Sequence, residues 1–404
     1  MQKTKLQNQN LPKGWRKVKL GDYLDLIRGI AYSSGNLLKS RDSIFLVNLK
    51  NINRGGGFKK EGLKDYSGEY KIEQLVEKDD IVVAMTDLTP QSEVIGMPAL
   101  VPEIEKKACI SMDIIKLSPK REGVDKKFLY YLLTDRNYKS WIKGFANGVN
   151  VLHLNSNGIT GYTPAIPRSL DEQRRIASIL SAFDEKIELN NKINKALEEM
   201  AQAIFKEWFV KFKFPGHEKV KLVDSELGKI PEGWEIKKFE EIMDFLDGEY
   251  IPQSKYDTSG EYLIYGSNTI MGRSNKYLYK GPIIILAKIG SYCGAIRYSH
   301  LPCWINNNAG GIRGKKGIPT SFIYYLLKRF NFNQVKEGTG QPFISMKGLK
   351  IQNAILPPQG LLDLFNKNTD SIKNCIANNE KENQKLAELR DLLLPKLMSG
   401  EIRV

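Results

Sequence analysis

The most constraining feature of this 404-residue chain is an apolar stripe at helical spacing that occurs twice. In residues 169–212 it runs Ile176, Leu180, Phe183, Ile187, then Leu197, Ala201, Ile204 and Trp208. The steps alternate four and three, as in a heptad seam, and two seam positions are polar, Asn190 and Asn194. The pattern returns as Ile372, Ile376, Asn379, Asn383, Leu386, Leu393 and Leu397, and a shift of 189 places Ile187 on Ile376, Asn190 on Asn379 and Asn194 on Asn383. Each stretch predicts a helix of about forty residues, on the order of 60 Å long. Two equivalent helices in one chain are expected to pack on each other antiparallel. Asn190 and Asn194 then fall opposite Asn379 and Asn383, an amide layer that sets the register. An intermolecular coiled coil is the alternative.

The rest of the chain is duplicated too. Residues 11–29 and 230–248 match at a shift of 219, which aligns Pro12, Gly14, Trp15 and Gly29 with Pro231, Gly233, Trp234 and Gly248. Residues 128–133 (FLYYLL) match 322–327 (FIYYLL), and 148–167 match 338–357. From Trp to Phe the first copy takes 113 steps and the second 88, so the first carries an insertion of about 25 residues. Strands are predicted over residues 44–49, 80–84 and 110–117, and over 262–265, 283–289 and 294–298. The domain reading is 1–167, a long helix 168–213, a linker 214–229, a second domain 230–357, and a second long helix 358–404. Ser169 with Glu172 reads as a capping box. The first helix is expected to end near Phe212, and Pro395 to bend or end the second early.

A net charge of +15 favours a polyanionic partner. No apolar run is long enough to span a bilayer, and residues 1–10 do not form a secretory signal. The four cysteines, Cys109, Cys293, Cys303 and Cys375, make no C-x-x-C pair and read as reduced, cytosolic thiols. The three scattered histidines argue against zinc. Phosphate-binding and dinucleotide loops lack their spacing. Glu105-Lys106-Lys107 and Glu235-Ile236-Lys237 match only the Glu-x-Lys half of a nuclease site. His153 falls opposite Phe343 in the repeat, which favours packing over catalysis.

What remains is loops rich in side chains that read bases and hold phosphate. In the first copy these are Lys50, Asn51, Asn53, Arg54, Lys59 and Lys60 around a glycine triplet, then Thr86, Asp87, Thr89 and Gln91. In the second they are Tyr265, Ser267, Asn268, Arg273, Lys288, Ser291, Tyr292, Asn306, Asn307 and Asn308.

The order of these parts resembles the specificity subunit of type I restriction–modification systems. The resemblance covers nearly the whole chain. It rests on the duplicated Gly-Trp anchors, F-x-Y-Y-L-L, Asp171-Glu172-Gln173-Arg174-Arg175-Ile176 at the helix start, residues 205–214 (FKEWFVKFKF) at its end, Tyr265-Gly266-Ser267-Asn268, and residues 79–89 with Val94-Ile95-Gly96. One departure is Leu361-Leu362-Asp363, where the first copy has its Glu-Gln pair. The resemblance implies an α+β fold: two globular, strand-rich target recognition domains separated by two long antiparallel coiled-coil helices, duplicated about a pseudo-twofold axis. Each domain would read one half of a bipartite, asymmetric site in double-stranded DNA. The helices would set the spacing and dock two modification subunits, with two restriction subunits beyond them. This cytoplasmic chain would be non-catalytic and hold no cofactor or metal, while its partners methylate adenine with S-adenosylmethionine and use ATP and Mg. The competing readings are a stand-alone metal-dependent nuclease and a coiled-coil scaffold without DNA binding.

Overall fold

The computed structural model describes residues 11–404 apart from positions 90, 91, 258, 268, 316 and 339. Four of its helices matter here: α1 (Lys126–Thr134), α2 (Leu170–Phe205), α3 (Thr320–Arg329) and α4 (Gln359–Ser399). The chain forms two compact units, Met1–Ile187 with Gln384–Val404, and Glu188–Asn383. The division falls inside both long helices, so each unit owns one segment of α2 and one of α4.

In the first unit the entering strand Trp15–Lys17 pairs antiparallel with the leaving strand Ala165–Pro167. Between them lies a four-stranded sheet in the order Leu24–Arg28, Ile114–Pro119, Ile81–Ala84, Pro98–Leu100. Ile81–Ala84 is buried at every residue, which is why its sequence runs apolar instead of alternating. A second sheet orders Lys64–Tyr66, Ile44–Val47, Ala108–Ile110 and Leu75–Val76, with a parallel pair at its centre. Asp125 caps α1 by accepting from the Phe128 amide, and α1 buries Phe128, Leu129, Tyr131, Leu132 and Leu133.

The second unit repeats this plan. Glu235–Lys238 pairs with Asn353–Leu356. The four-stranded sheet runs Met243–Asp247, Ala309–Gly314, Ile283–Ala287, Ile296–Ser299. Beside it lie Ile270–Ser274, Tyr262–Tyr265 and Cys303–Ile305, again with one parallel pair. The first copy's extra residues fall in its counterpart of this small sheet, which gains the strand Leu75–Val76. The segment read as a linker, 214–229, runs into a hairpin, Leu222–Ser225 against Gly228–Pro231.

The helix ends differ from expectation in three places. Ser169 Oγ accepts from the Glu172 amide (3.4 Å), but the Glu172 carboxylate does not close a capping box. It accepts instead from Trp15 Nε1 (3.2 Å) and Arg403 Nε (3.0 Å). Gln173 is fully buried and bonds the Asp125 amide and the carbonyls of Gly123 and Pro167. The Glu-Gln pair thus rivets α2 to its own unit. At the departure in the second copy, Leu362 is buried in the core, and Trp234 packs against Phe209, Phe212 and Phe214. Packed rings replace the hydrogen-bonded carboxylate.

Second, α2 reaches its expected end near Phe212, but only by widening after Phe205 into a π turn, Lys206–Val210. The turn lets Phe205 and Phe209 both stack on Phe322 and Phe365. Third, α4 continues through Pro395 to Ser399. Proline forfeits one backbone hydrogen bond there, and Leu397 and Met398, buried in the first unit's core, hold the last turn.

The helix segments are antiparallel in each unit. In the second, Asn190 Nδ2 donates to Glu382 Oε2 (2.7 Å) and Asn383 Oδ1 (2.8 Å). Asn379 Nδ2 donates to Asn194 Oδ1 (2.8 Å), and Asn383 Nδ2 to Asn191 Oδ1 (3.0 Å). Rising numbers on α2 meet falling numbers on α4. In the first unit Asp184 of α2 accepts from Arg390 of α4 (2.6 Å) and from the hydroxyl of Tyr131 in α1 (2.7 Å). The second unit has a counterpart: Glu198 of α2 accepts from Tyr325 and Lys328 of α3, each at 2.9 Å. In both copies a carboxylate on α2 receives the second tyrosine of the F-x-Y-Y-L-L helix.

Candidate nucleic-acid interface

In the first unit, Gly55, Gly56 and Gly57 all take positive φ, a turn that side chains with a Cβ disfavour. This places Arg54 against Glu93 (3.1 Å), while the Gly55 amide donates to the Glu93 carbonyl. The glycine loop and residues 87–89 and 92–94 therefore meet on one surface. Asp87 is buried beneath it. Burial raises its pKa, but bonds from Thr89 and from the Val94 and Ile95 amides outweigh that and hold the carboxyl below its usual range. Its role is to shape the loop.

Other candidates also serve the fold. Asn51 is buried, accepts from the Asn48 amide and donates to the Lys59 carbonyl. That staple presents Lys50 and Lys59, both exposed. Thr86 is buried and donates to Asp113. Thr89 Oγ1 accepts from the Glu93 amide, Asn53 is half-buried, and Lys60 Nζ donates to the Glu103 carbonyl. Gln91 and Asn268 lie outside the described residues.

In the second unit the loops converge more tightly. Ser267 Oγ donates to the Asn308 carbonyl (2.7 Å), and the Asn306 amide to the Tyr265 carbonyl (2.8 Å). The Lys288 amide donates to the Asn308 carbonyl (3.1 Å), and Lys288 Nζ pairs with Asp247 (3.2 Å). Asn306 is buried against Met271 and accepts from the Asn307 amide; Asn307 and Asn308 are exposed. Burial pushes the Tyr265 phenol up to about 12, so it remains a neutral hydroxyl. Ser291 and Tyr292 are exposed on the loop after the central strand. Arg273 donates to the Gly260 carbonyl, just before the strand Tyr262–Tyr265.

Matching backbone hydrogen bonds bring the two sites into register. Met85 donates to the Asp113 carbonyl as Lys288 does to that of Asn308. Leu154 donates to the Met85 carbonyl as Ile344 does to that of Lys288. Ser111 donates to the Val47 carbonyl as Asn306 does to that of Tyr265. Met85, Met112 and Asp113 thus hold the positions of Lys288, Asn307 and Asn308. Sequence reasoning missed this first trio because methionines are not polar readers, and because the insertion breaks the repeat's alignment there. His153 and Phe343 also match, paired with Asn147 and Glu337. Both are exposed, so the expected packing role for His153 is corrected: successive strand side chains point to opposite faces, and Leu154 and Ile344 take the buried one.

Among the described residues no group of His, Cys, Asp and Glu could hold a metal ion, and no helix is long and apolar enough to cross a membrane. All four cysteines are free thiols.

Two copies of one scaffold carry different side chains at matched positions, so the chain is an internally duplicated protein. The type I restriction modification DNA specificity domain matches residues 12–199 and again 231–390. The chain therefore belongs to the family of type I restriction–modification specificity subunits, the non-catalytic DNA-recognition components of their complexes. It is 29% identical over 307 residues to the MjaIX specificity subunit of Methanocaldococcus jannaschii, covering 70% of this chain and 71% of that one. The MjaVIII specificity subunit of the same organism is 25% identical over 98% of this chain and 94% of its own. The HindI specificity subunit of Haemophilus influenzae is 23% identical over 96% and 99%. The crystal structure of the S subunit of a type I restriction–modification system from M. genitalium shares the fold, with a TM-score of 0.56 at 18% identity over 98% of both chains.

Proposed function

We propose that each unit reads one half of a bipartite, asymmetric DNA site, and that the helix pair sets the spacing between halves and docks two modification subunits. The observation that carries this is the matched register. One backbone scaffold presents Met85, Met112 and Asp113 in one copy and Lys288, Asn307 and Asn308 in the other. Asparagine suits adenine edges, lysine suits guanine and phosphate, and methionine suits the thymine methyl. Two such surfaces prefer different bases. The amide layers of the helix pair support a fixed register, since a slip would strand buried polar groups. Leu189, Ile193 and Met200, exposed at helical spacing on α2, offer an apolar stripe to a protein partner. The modification subunits supply S-adenosylmethionine chemistry, and two restriction subunits use ATP and Mg, all in the cytoplasm.

The test is duplex binding by the purified complex over a salt series. Specific binding falls steeply with salt, with a log–log slope of about −0.9 per phosphate neutralised. Lys288→Ala costs about 1–3 kcal/mol on the cognate site and relaxes base choice in one half-site only. Unchanged affinity and unchanged choice would remove Lys288 from the site. Cleavage by this chain alone with a divalent metal would contradict the non-catalytic role.

A further inference from the structure

Resting on DNA recognition as proposed above, the structure points to a second device in each unit. A short ribbon lies beside the loop that leaves the central strand. In the first unit Ala146–Asn147 pairs with Leu152–Leu154, which pairs in turn with Thr86–Asp87. In the second, Lys336–Glu337 pairs with Phe343–Ile344, and Phe343 bridges Ile289. The registers agree: His153 faces Thr86 where Phe343 faces Ile289.

Both ribbons hold apolar side chains out to solvent. In the first unit Leu88 is 68% exposed, Val149 97% and Val151 half-exposed. In the second, Tyr292 is 56% exposed and Phe343 41%, with Ile289 beside them. The first tip turns at Gly148, which has positive φ and where a Cβ would strike the Val151 carbonyl. Val149 is therefore raised on a tight, defined turn.

Each patch is small and continuous with the polar candidates. In the second unit the Ile344 amide bonds the carbonyl of Lys288, and the Gly290 amide that of Pro342. In the first, the ribbon's partner strand Thr86–Asp87 leads to Thr89, whose hydroxyl accepts from the amide of Glu93, the residue that pairs with Arg54. A protein interface would ask for a broader apolar face. A few protruding apolar side chains beside cations and amides fit duplex DNA, where such groups enter between base steps and unstack them.

We propose that the two ribbons are wedges. Val149 with Leu88 in one half-site, and Phe343 with Tyr292 in the other, open a single base step beside the adenine that the modification subunit acts on. Chemistry on a base requires it to leave the stack, and a step already opened lowers the cost of rotating the adenine outward.

Permanganate footprinting tests this, because the reagent oxidises the exposed 5,6 bond of unstacked thymines. The sample is the full chain in complex with its modification subunits, on a duplex carrying the site mapped by genomic methylation. The wild-type complex gives enhanced thymine reactivity in both half-sites. Val149→Ser abolishes it and slows methylation in one half-site, Phe343→Ser does so in the other, and a mismatch placed at the affected step restores methylation there. Both positions are exposed, so unchanged melting temperatures verify the fold. Enhancement that persists in both variants, or is missing from a wild-type complex that binds and methylates specifically, overturns the wedges and leaves the recognition role standing. Loss of modification subunits from the variants would instead make the ribbons a protein interface. No specific binding by the wild-type complex overturns both readings.

Discussion

Gly29→Val strongly destabilises the first unit, and Gly248→Val the second. These glycines occupy the same place in the two repeats. A Cβ on Gly29 would strike the carbonyls of Ser111 and Ile110, and one on Gly248 those of Asn306 and Ala309. The struck atoms are backbone of the strand turn that positions the candidate readers, so no flexible side chain can give way. Overpacking of this kind costs about 3 kcal/mol, a large share of the roughly 5–15 kcal/mol that stabilises a whole domain. The control is Gly14→Ala: a Cβ there meets nothing within 4 Å, but φ is +85°. Its cost is therefore only the left-handed backbone penalty of about 1–2 kcal/mol. Denaturant unfolding of the three variants should separate them in that order. A Gly29→Val midpoint equal to wild type would contradict the packing described.

Asn190→Leu removes the second-largest increment. Asn190 is fully buried in the helix pair, and its amide supplies a proton to both Glu382 and Asn383. Leucine fills the seam but removes both bonds, and because Glu382 is exposed and Asn383 half-buried, water takes up part of the loss, which leaves a net cost of about 0.5–1.5 kcal/mol per bond. Changing Asn190 and Asn383 together to leucine should recover some of the loss, because paired apolar replacements can be nearly neutral. The same double variant should lose precision of register, since only the Asn194–Asn379 bond would remain of the four-asparagine layer. Thermal melts of the two variants read the first effect. A distribution of spacer lengths in the methylated sites reads the second. Equal melting of the single variant and wild type would show that the layer contributes nothing.

The architecture was legible because its signals are periodic and local. A four–three apolar stripe implies a long helix whatever surrounds it. The repeats of Gly29 with Gly248 and of FLYYLL with FIYYLL mark equivalent positions from residue identity alone. Helix ends were less legible, because they depend on distant partners. Glu172 left its capping box for Trp15 and Arg403. Pro395 stayed helical because Leu397 and Met398 are buried beyond it.

The site was legible only as a neighbourhood. Polar residue type marked the right loops, yet type alone does not tell a side chain that faces outward from one that braces the turn. Asn51, Thr86 and Asn306 brace it, while Lys59, Asn307 and Asn308 face out. Searching for polar readers also hid the apolar residues Met112 and Val149: the first emerges from matching hydrogen bonds between the copies, the second from its exposure.

The central claim, two independent readers on one chain, is tested most directly by strand-resolved sequencing of methylated adenines. The cells would carry the complex with either the native chain or one whose residues 230–357 come from a relative. The native chain should give a single bipartite, asymmetric motif. The exchanged chain should keep one half and the spacer and replace the other half entirely. Change in both halves, or in neither, would contradict it.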